Sequence, residues 1–256
     1  MLVAKKLKED GEEIIQFGME DVKATFEKLI DNIKMYSLKS YTQVNGKMIS
    51  QLIDNQINES DAEAIKKSIN EINTINIILS RVGNYISEAE KRKIRDLISS
   101  GEILKKKTFF PLASLLHNLV KAYNKEQKKI DESIEQFVNI CNSYLVDKYF
   151  EYDESFVSIH LFNKKDEIVD LSNLSSGEKQ IISIFSKIYL SNEEHFFIFF
   201  DEPELSLSIK WQEKLLVDIL KSGKCDLLFA VTHSPFIFNN DLKEFARSID
   251  LFVEEQ

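Results

Sequence analysis

The sequence is poor in glycine and proline, the two residues that most often interrupt regular secondary structure. Its 256 residues include 7 Gly and 3 Pro, fewer than a loop-rich all-β architecture needs at its turns. A chain with so few helix breakers is expected to form long, uninterrupted helices. Its length allows one large domain or two modest ones, and either could bury a sizeable core.

Cysteine and histidine are too few to define a disulfide framework or a zinc site. The chain contains 2 Cys and 4 His, and none of them has the spacing of zinc ligands. The two thiols, Cys141 and Cys225, are interpreted as packed or incidental side chains. These features are typical of a protein from a reducing compartment, and we expect a cytoplasmic location.

Long apolar runs and a net positive charge are also missing. The sequence contains no run of 18 apolar residues, the length that a membrane-spanning helix needs. Its first residues also lack the apolar core of a signal peptide. The net charge of −9 gives no general attraction to nucleic acid. Basic clusters near residues 5–8, 91–95 and 105–107 are interpreted as solvated helix faces, because acidic residues surround them. DNA binding therefore has little support from the sequence.

Apolar residues in the first part of the chain recur at intervals of three and four, the pattern of amphipathic helices. Three such stripes follow one another, at residues 22–33, 65–82 and 111–146. Residues 1–150 are therefore predicted to form an α-helical bundle or insertion. Gly83 and Gly101 are expected at breaks between its helices.

The pattern changes after residue 150. Apolar runs of strand length occur at 156–162, 196–200 and 226–232, and a helical stretch at 209–221 separates the last two. Strand, helix and strand at this spacing form a βαβ unit with parallel strands. Residues 151–256 are therefore predicted to form an α/β lobe. Its two continuous apolar runs, 196–200 and 226–232, are predicted to be strands buried on both faces of a sheet.

Two carboxylates, Asp201 and Glu202, directly follow the first of these continuous runs. A parallel strand ends at the edge of its sheet where open α/β folds bind ligands, so both carboxylates are expected there. One carboxylate of such a pair can hold Mg²⁺, and the other can accept a proton from an attacking water. Taken alone, the pattern fits simple strand capping equally well.

A segment with two serines and a glycine, Ser175-Ser176-Gly177-Glu178, opens a predicted helix before that strand. Hydroxyls and backbone N–H groups at the positive end of a helix form a natural phosphate site. The same residues also fit an ordinary capping box, with Ser175 as N-cap and Glu178 as its partner. Both interpretations stay open at this point.

A histidine, His233, follows the last apolar run in the segment Val231-Thr232-His233-Ser234-Pro235. An imidazole at the edge of the same sheet can donate a hydrogen bond to a terminal phosphate or to an attacking water. A lone histidine in such a place is more often structural, so its interpretation depends on the neighbouring motifs.

Three segments together, in this order and spacing, resemble the ABC-type ATPases. They are Leu-Ser-Ser-Gly-Glu-Lys-Gln at 174–180, Phe-Phe-Asp-Glu-Pro-Glu-Leu-Ser-Leu at 199–207 and Thr-His-Ser-Pro at 232–235. They match the signature motif, the Walker B strand with its D-loop, and the switch histidine. The resemblance covers about residues 150–250. It implies the C-terminal lobe of an α/β P-loop NTPase of ABC type with a large α-helical insertion.

Within that superfamily, the segment from Asp201 to Ser208 with Trp211-Gln212 is similar to soluble bacterial ATPase heads. These heads are related to SMC proteins and to overcoming-lysogenization-defect proteins. The sequence also resembles the ATPases of Septu-type and retron-associated anti-phage systems.

The resemblance implies a role for each matched residue. Asp201 would position Mg²⁺, Glu202 would be the general base, and His233 would sense the γ-phosphate of ATP. Other matched residues would contact nucleotide across a head-to-head dimer. In the signature motif they are Ser175, Ser176, Gly177 and Glu178. In the D-loop, Glu204-Leu205-Ser206, the contacting residue is Ser206. This D-loop departs from the transporter pattern because it lacks an aspartate.

The phosphate loop of that superfamily, Gly-x-x-x-x-Gly-Lys-Ser/Thr, is missing from the 256 residues. No two glycines of the sequence have the required spacing with a Lys-Ser or Lys-Thr after the second. The glycines are Gly11, Gly18, Gly46, Gly83, Gly101, Gly177 and Gly223. In the family this loop lies in an N-terminal lobe, so the sequence resembles the insertion and the second lobe of a head. ATP and Mg²⁺ are the implied cofactors. We expect this chain alone to bind and hydrolyse ATP weakly or not at all, because the loop dominates nucleotide affinity.

The resemblance implies an ATPase subunit of a bacterial anti-phage defence complex, controlling an effector nuclease on another chain. The implied partners are a second copy of the chain or a higher oligomer, a lobe with the phosphate loop, and that nuclease, with no membrane. Two alternatives stay open. One is a non-catalytic interaction or dimerisation module whose helical half binds a nuclease or nucleic acid. The other is an SMC-like DNA-repair ATPase, disfavoured because about 130 helical residues are too few for its long coiled coil.

Overall fold

The computed structural model describes residues 2–5, 12–15, 18–53 and 62–251. The basic cluster at 5–8 therefore lies largely outside the described residues. The chain divides into two compact units. Unit 1 comprises Met1–Thr25, Gln136–Phe150 and Leu161–Gln256, and unit 2 comprises Phe26–Glu135 and Glu151–His160.

Helices occupy most of unit 2, and the predicted apolar stripes at 22–33, 65–82 and 111–146 lie largely within them, whereas residues 34–53, 88–99 and 102–105 are helical without a predicted stripe. The helices are α1 (Met19–Ile53), α2 (Ala62–Ile69), α3 (Ile72–Arg81), α4 (Glu88–Ser99), α5 (Glu102–Lys105), α6 (Phe110–Glu126) and α7 (Lys128–Asn142). Residues 19–25 of α1 and 136–142 of α7 belong to unit 1. Apolar side chains such as Ile75 and Leu116 are buried together in the core of this unit. In the described part of the chain, no helix is both long enough and apolar enough to cross a membrane.

Two of the predicted stripes are interrupted. The stripe at 65–82 divides between α2 and α3, and the stripe at 111–146 divides at Gln127, between α6 and α7. Gly83 and Gly101 have positive φ angles of 67° and 68°. Both lie beside helix ends, as predicted, because glycine adopts this left-handed conformation without a Cβ clash.

Unit 1 contains a four-stranded sheet with the order β2-β1-β5-β6. Its strands are β1 (Leu2–Lys5), β2 (Glu12–Ile15), β5 (Phe196–Asp201) and β6 (Cys225–Val231), while β3 (Lys148–Asp153) and β4 (Ser158–Asn163) form a separate two-stranded sheet. Strands β5 and β6 are parallel, with Asp201 opposite Val231. Helix α9 (Ile209–Lys221) lies between them in the chain, so the predicted βαβ unit is confirmed.

The division into units differs from the predicted boundary at residue 150. Strands β1 and β2 belong to the sheet of unit 1, although residues 1–150 were assigned to a helical bundle. Residues 151–160 cluster with unit 2 instead of the α/β lobe. Strands of four residues are too short to display a clear alternating pattern. Their place in the sheet depends on pairing with β5, which lies far along the chain.

The β6 strand is less covered than predicted. In β5, Phe196, Ile198 and Phe200 are buried, but in β6 Leu227 and Phe229 are 45% and 57% exposed. The prediction of burial on both faces is therefore wrong for β6. The reason is that Leu227, Phe229 and Val231 lie on one face of β6 and no described residue covers that face.

Candidate functional site

The acidic pair and the histidine meet at the carboxyl end of the β5–β6 pair. Asp201 is the last residue of β5, Glu202 follows it, and His233 lies just beyond β6. The backbone N–H of Glu202 donates to the carbonyl of Val231 at 2.8 Å, which ties the two strand ends together. Oε1 of Glu202 lies 3.9 Å from Nε2 of His233. The parallel pairing of β5 with β6 thus brings the acidic pair close to the histidine, although helix α9 separates these two motifs in the sequence.

The groups at this edge are accessible to solvent. The side chains of Glu202 and His233 are 43% and 86% exposed, and Asp201 is also exposed. Among the described residues, no group of three or more His, Cys, Asp or Glu could hold a metal ion. Mg²⁺ in phosphate sites is held by one or two carboxylates together with the phosphates of the substrate. Asp201 therefore fits a magnesium–nucleotide complex but not a metal cage made by protein alone.

The post-β5 turn, residues 202–207, has a strained backbone. Glu202 and Ser206 have φ angles of 50° and 64°, a left-handed conformation that costs a non-glycine residue about 1–3 kcal/mol. The side chain of Gln180 donates to the carbonyl of Pro203 at 3.1 Å, and both residues are buried. This contact from helix α8 (Ser176–Leu190) helps to hold the turn in place.

Helix α8 begins with a complete capping box. Oγ of Ser175 accepts a hydrogen bond from the N–H of Glu178, and the Glu178 carboxylate accepts one from the N–H of Ser175. Lys148 also donates to this carboxylate, at 2.9 Å. Burial acts to raise the pKa of Glu178, but the bonds from Lys148 and Ser175 outweigh it and lower that pKa below its ordinary value. The capping-box interpretation is confirmed, and the Glu178 carboxylate is occupied by contacts within the chain.

The remaining residues of this segment differ in accessibility. Ser175 and Ser176 are exposed at the start of α8, whereas Gly177 is buried. A Cβ atom at Gly177 would lie 2.4 Å from the carbonyl oxygen of Ser206 and 3.3 Å from the ring of Trp211. The first turn of α8 thus packs directly on the post-β5 turn. All three motifs meet in unit 1, and a phosphate role for the exposed serines stays a prediction.

Replacing Gly177 with Ala is expected to destabilise the protein by about 1–3 kcal/mol, because backbone atoms of Ser206 must move. Gly46→Ala is the matched control, since Gly46 lies inside α1 and has nothing within 4 Å of its Cβ position. That change is expected to stabilise the protein by about 0.5–1 kcal/mol. Urea unfolding followed by circular dichroism measures both changes. A Gly177→Ala variant as stable as the wild type would contradict the close contact.

Glu204 makes contacts that were not predicted from the sequence. Its carboxylate accepts hydrogen bonds from Oγ1 of Thr232 at 2.6 Å and from the N–H of His233 at 2.8 Å. The resemblance placed Glu204 in a loop that faces a partner subunit, but its carboxylate is engaged within its own chain. No local spacing signals this contact, because it forms between segments that follow two different strands.

Comparison with known protein families matches residues 54–239 to the family described as "AAA domain, putative AbiEii toxin, Type IV TA system". The matched region includes the helices from α2 onward, the β5–β6 pair and all three motifs. A comparison with curated proteins finds no match. Because the family match spans well over half of the 256 residues, the chain belongs to this AAA-domain family of P-loop ATPases.

Proposed function

We propose that this chain is an ATP-binding and ATP-hydrolysing subunit of ABC type whose chemistry takes place at the carboxyl end of β5. The observation that carries the proposal is the 3.9 Å separation of Glu202 Oε1 from His233 Nε2, beside Asp201. A carboxylate base, an imidazole and a second acidic group at one sheet edge suit phosphoryl transfer to water. Membership of an ATPase family supports the same chemistry.

Each of the three residues has a separate task in this proposal. Asp201 would hold the Mg²⁺ of Mg-ATP, which would supply positive charge to neutralise the phosphates when bound. Glu202 accepts a proton from the water whose oxygen forms a bond to the γ-phosphorus. The bond from that phosphorus to the β–γ bridging oxygen breaks, giving ADP and phosphate. His233 donates a hydrogen bond to a γ-phosphate oxygen.

The start of α8 serves a second nucleotide in this proposal. The γ-phosphate of ATP bound by a partner subunit is contacted by Ser175, by Ser176 and by the first N–H groups of the helix. The exposure of both serines to solvent allows this contact. Gly177 permits close packing on Ser206, which is exposed on the post-β5 turn. In this proposal Ser206 contacts the same nucleotide across the dimer. Glu178 stabilises the first turn of α8 through the capping box.

In this proposal the phosphate loop is supplied by residues outside these 256, on another polypeptide or on a longer parent chain. Calorimetric titration of Mg-ATP into this polypeptide is therefore expected to give no binding in the micromolar range. Micromolar binding would overturn the dependence on a separate loop. An assembly that includes the loop is expected to hydrolyse ATP. Loss of that turnover when Glu202 is changed would assign hydrolysis to this site.

The proposed biological role is control of an effector nuclease in a bacterial anti-phage defence complex. It rests on the resemblance of segments 174–180, 199–207 and 232–235 to the ATPases of such systems. The neighbouring open reading frames test this role. It predicts a nuclease gene beside this one, and a phosphate loop encoded upstream.

A non-catalytic interaction module is the second candidate, favoured by the lack of a phosphate loop in the sequence. In that case the helices of unit 2 bind the partner and the lobe only dimerises or docks. ATP turnover of the full assembly would then be insensitive to changes at Glu202. An SMC-like repair ATPase gains no support, because α1, the longest described helix, has 35 residues and gives no long coiled coil.

A further inference from the structure

The segment after β6 is organised around the carboxylate of Glu204. Oε2 accepts from the hydroxyl of Thr232 at 2.6 Å, and Oε1 accepts from the N–H of His233 at 2.8 Å. Oγ1 of Thr232 in turn accepts from the N–H of Ser234 at 3.0 Å. The two carboxylate oxygens of Glu204 thus bind two consecutive residues, Thr232 and His233. The two hydrogen bonds restrain the distance of these residues from Glu204 and the rotation of the peptide group that joins them.

His233 needs such support because its own side chain has little packing around it. The imidazole is 86% exposed and lies 3.9 Å from Glu202, beyond hydrogen-bond distance. Its location is therefore determined mainly by the backbone that carries it. The backbone of His233 is held by Glu204, which lies only two residues after Glu202.

Glu204 itself is fixed by the post-β5 turn. The carbonyl of Glu204 accepts from the N–H of Leu207 at 3.0 Å. The turn is held by Gln180 at Pro203. Burial acts to raise the pKa of Glu204, but the bonds from Thr232 and from backbone N–H groups outweigh it and lower that pKa. The carboxylate is therefore ionised at neutral pH and can accept both hydrogen bonds at full strength.

We propose that Glu204 is a positioning residue that holds His233 beside Glu202 through these two hydrogen bonds. This inference rests on the proposed function, because His233 acts there on the γ-phosphate. Glu204 touches neither the water nor the nucleotide, and it acts through the histidine. Its carboxylate connects the strand that bears the base to the strand that bears the imidazole.

The first test uses this chain alone and needs no nucleotide. Amide hydrogen exchange of His233, measured by NMR, is expected to be about tenfold faster in Glu204→Gln, because glutamine offers the His233 N–H an uncharged and therefore weaker acceptor in place of the carboxylate. Thr232→Val removes one of the two bonds and is expected to act in the same direction. Glu213→Gln, at an exposed carboxylate on α9, is the control and should leave the rate unchanged. Unchanged exchange in both test variants would overturn the proposal.

The second test uses an assembly that contains the phosphate-loop lobe. Glu204→Gln is expected to lower kcat about tenfold with little change in KM. When Glu204→Gln is added to His233→Ala, we expect no further loss of kcat, because both substitutions act through the imidazole of His233. Fully additive losses would overturn the positioning role. If exchange responds to Glu204 but His233→Ala keeps wild-type turnover, the contact is supported and the proposed function of His233 fails.

Discussion

Replacing Glu202 with Gln is expected to lower the ATP turnover of a complete assembly by about 10²–10⁴-fold, the usual contribution of general acid–base catalysis. Glutamine preserves the size of the side chain but cannot accept the proton of the attacking water. Asp201 and the start of α8 are untouched, so nucleotide binding should persist. The loss should therefore appear in kcat and not in KM. Steady-state phosphate release measures both constants.

Glu213→Gln is the matched control for this experiment, because it makes the same chemical change at an exposed position of the same unit. Its turnover is expected to equal that of the wild type. Both variants should unfold at the same urea concentration as the wild type, which excludes a loss of folded protein as the cause. An unchanged kcat in Glu202→Gln would refute the base assignment and favour the non-catalytic module.

Replacing Asp131 with Ala is expected to destabilise unit 2 by about 3–5 kcal/mol, the usual result of breaking a buried ion pair. Asp131 and Arg81 have side chains only 2% and 3% exposed, and their charged groups lie 2.8 Å apart. The hydroxyls of Tyr123 and Tyr152 also donate to the Asp131 carboxylate. Removal of the carboxylate leaves a buried guanidinium without its counter-charge.

An exposed ion pair in the same unit supplies the control for Asp131. Glu102 and Lys106 lie 2.8 Å apart on the surface, and Glu102→Gln should cost at most about 1 kcal/mol. Urea unfolding by circular dichroism measures these losses, while fluorescence of Trp211, the one tryptophan, monitors unit 1. A loss under about 1 kcal/mol in Asp131→Ala would show that the pair is not buried as described.

Much of the site could be predicted because its motifs are local. The apolar run of β5 ends in Asp201 and Glu202, and a serine followed three residues later by Glu178 signals a helix start. The parallel pairing of β5 with β6 follows from the helix between them. These features need only neighbouring residues or a standard crossover, so they are visible in one sequence.

Other features of the site could not be predicted. The contact of Glu204 with His233 joins two segments whose separation in sequence carries no pattern. The buried pair of Arg81 and Asp131 likewise links a helix to another far along the chain. Each depends on the reach of one side chain across packed elements, which periodicity does not describe.

The sequence by itself determined the helices that carry the three apolar stripes, the β5–α9–β6 unit and the cap of α8, because apolar period and capping residues act over a few positions. Only the tertiary structure decided that β1 and β2 join the sheet, that β6 leaves one face uncovered, and that Glu204 holds the histidine segment. Strand pairing and contacts between strand ends join residues distant in the chain, so their outcome depends on how the elements pack together.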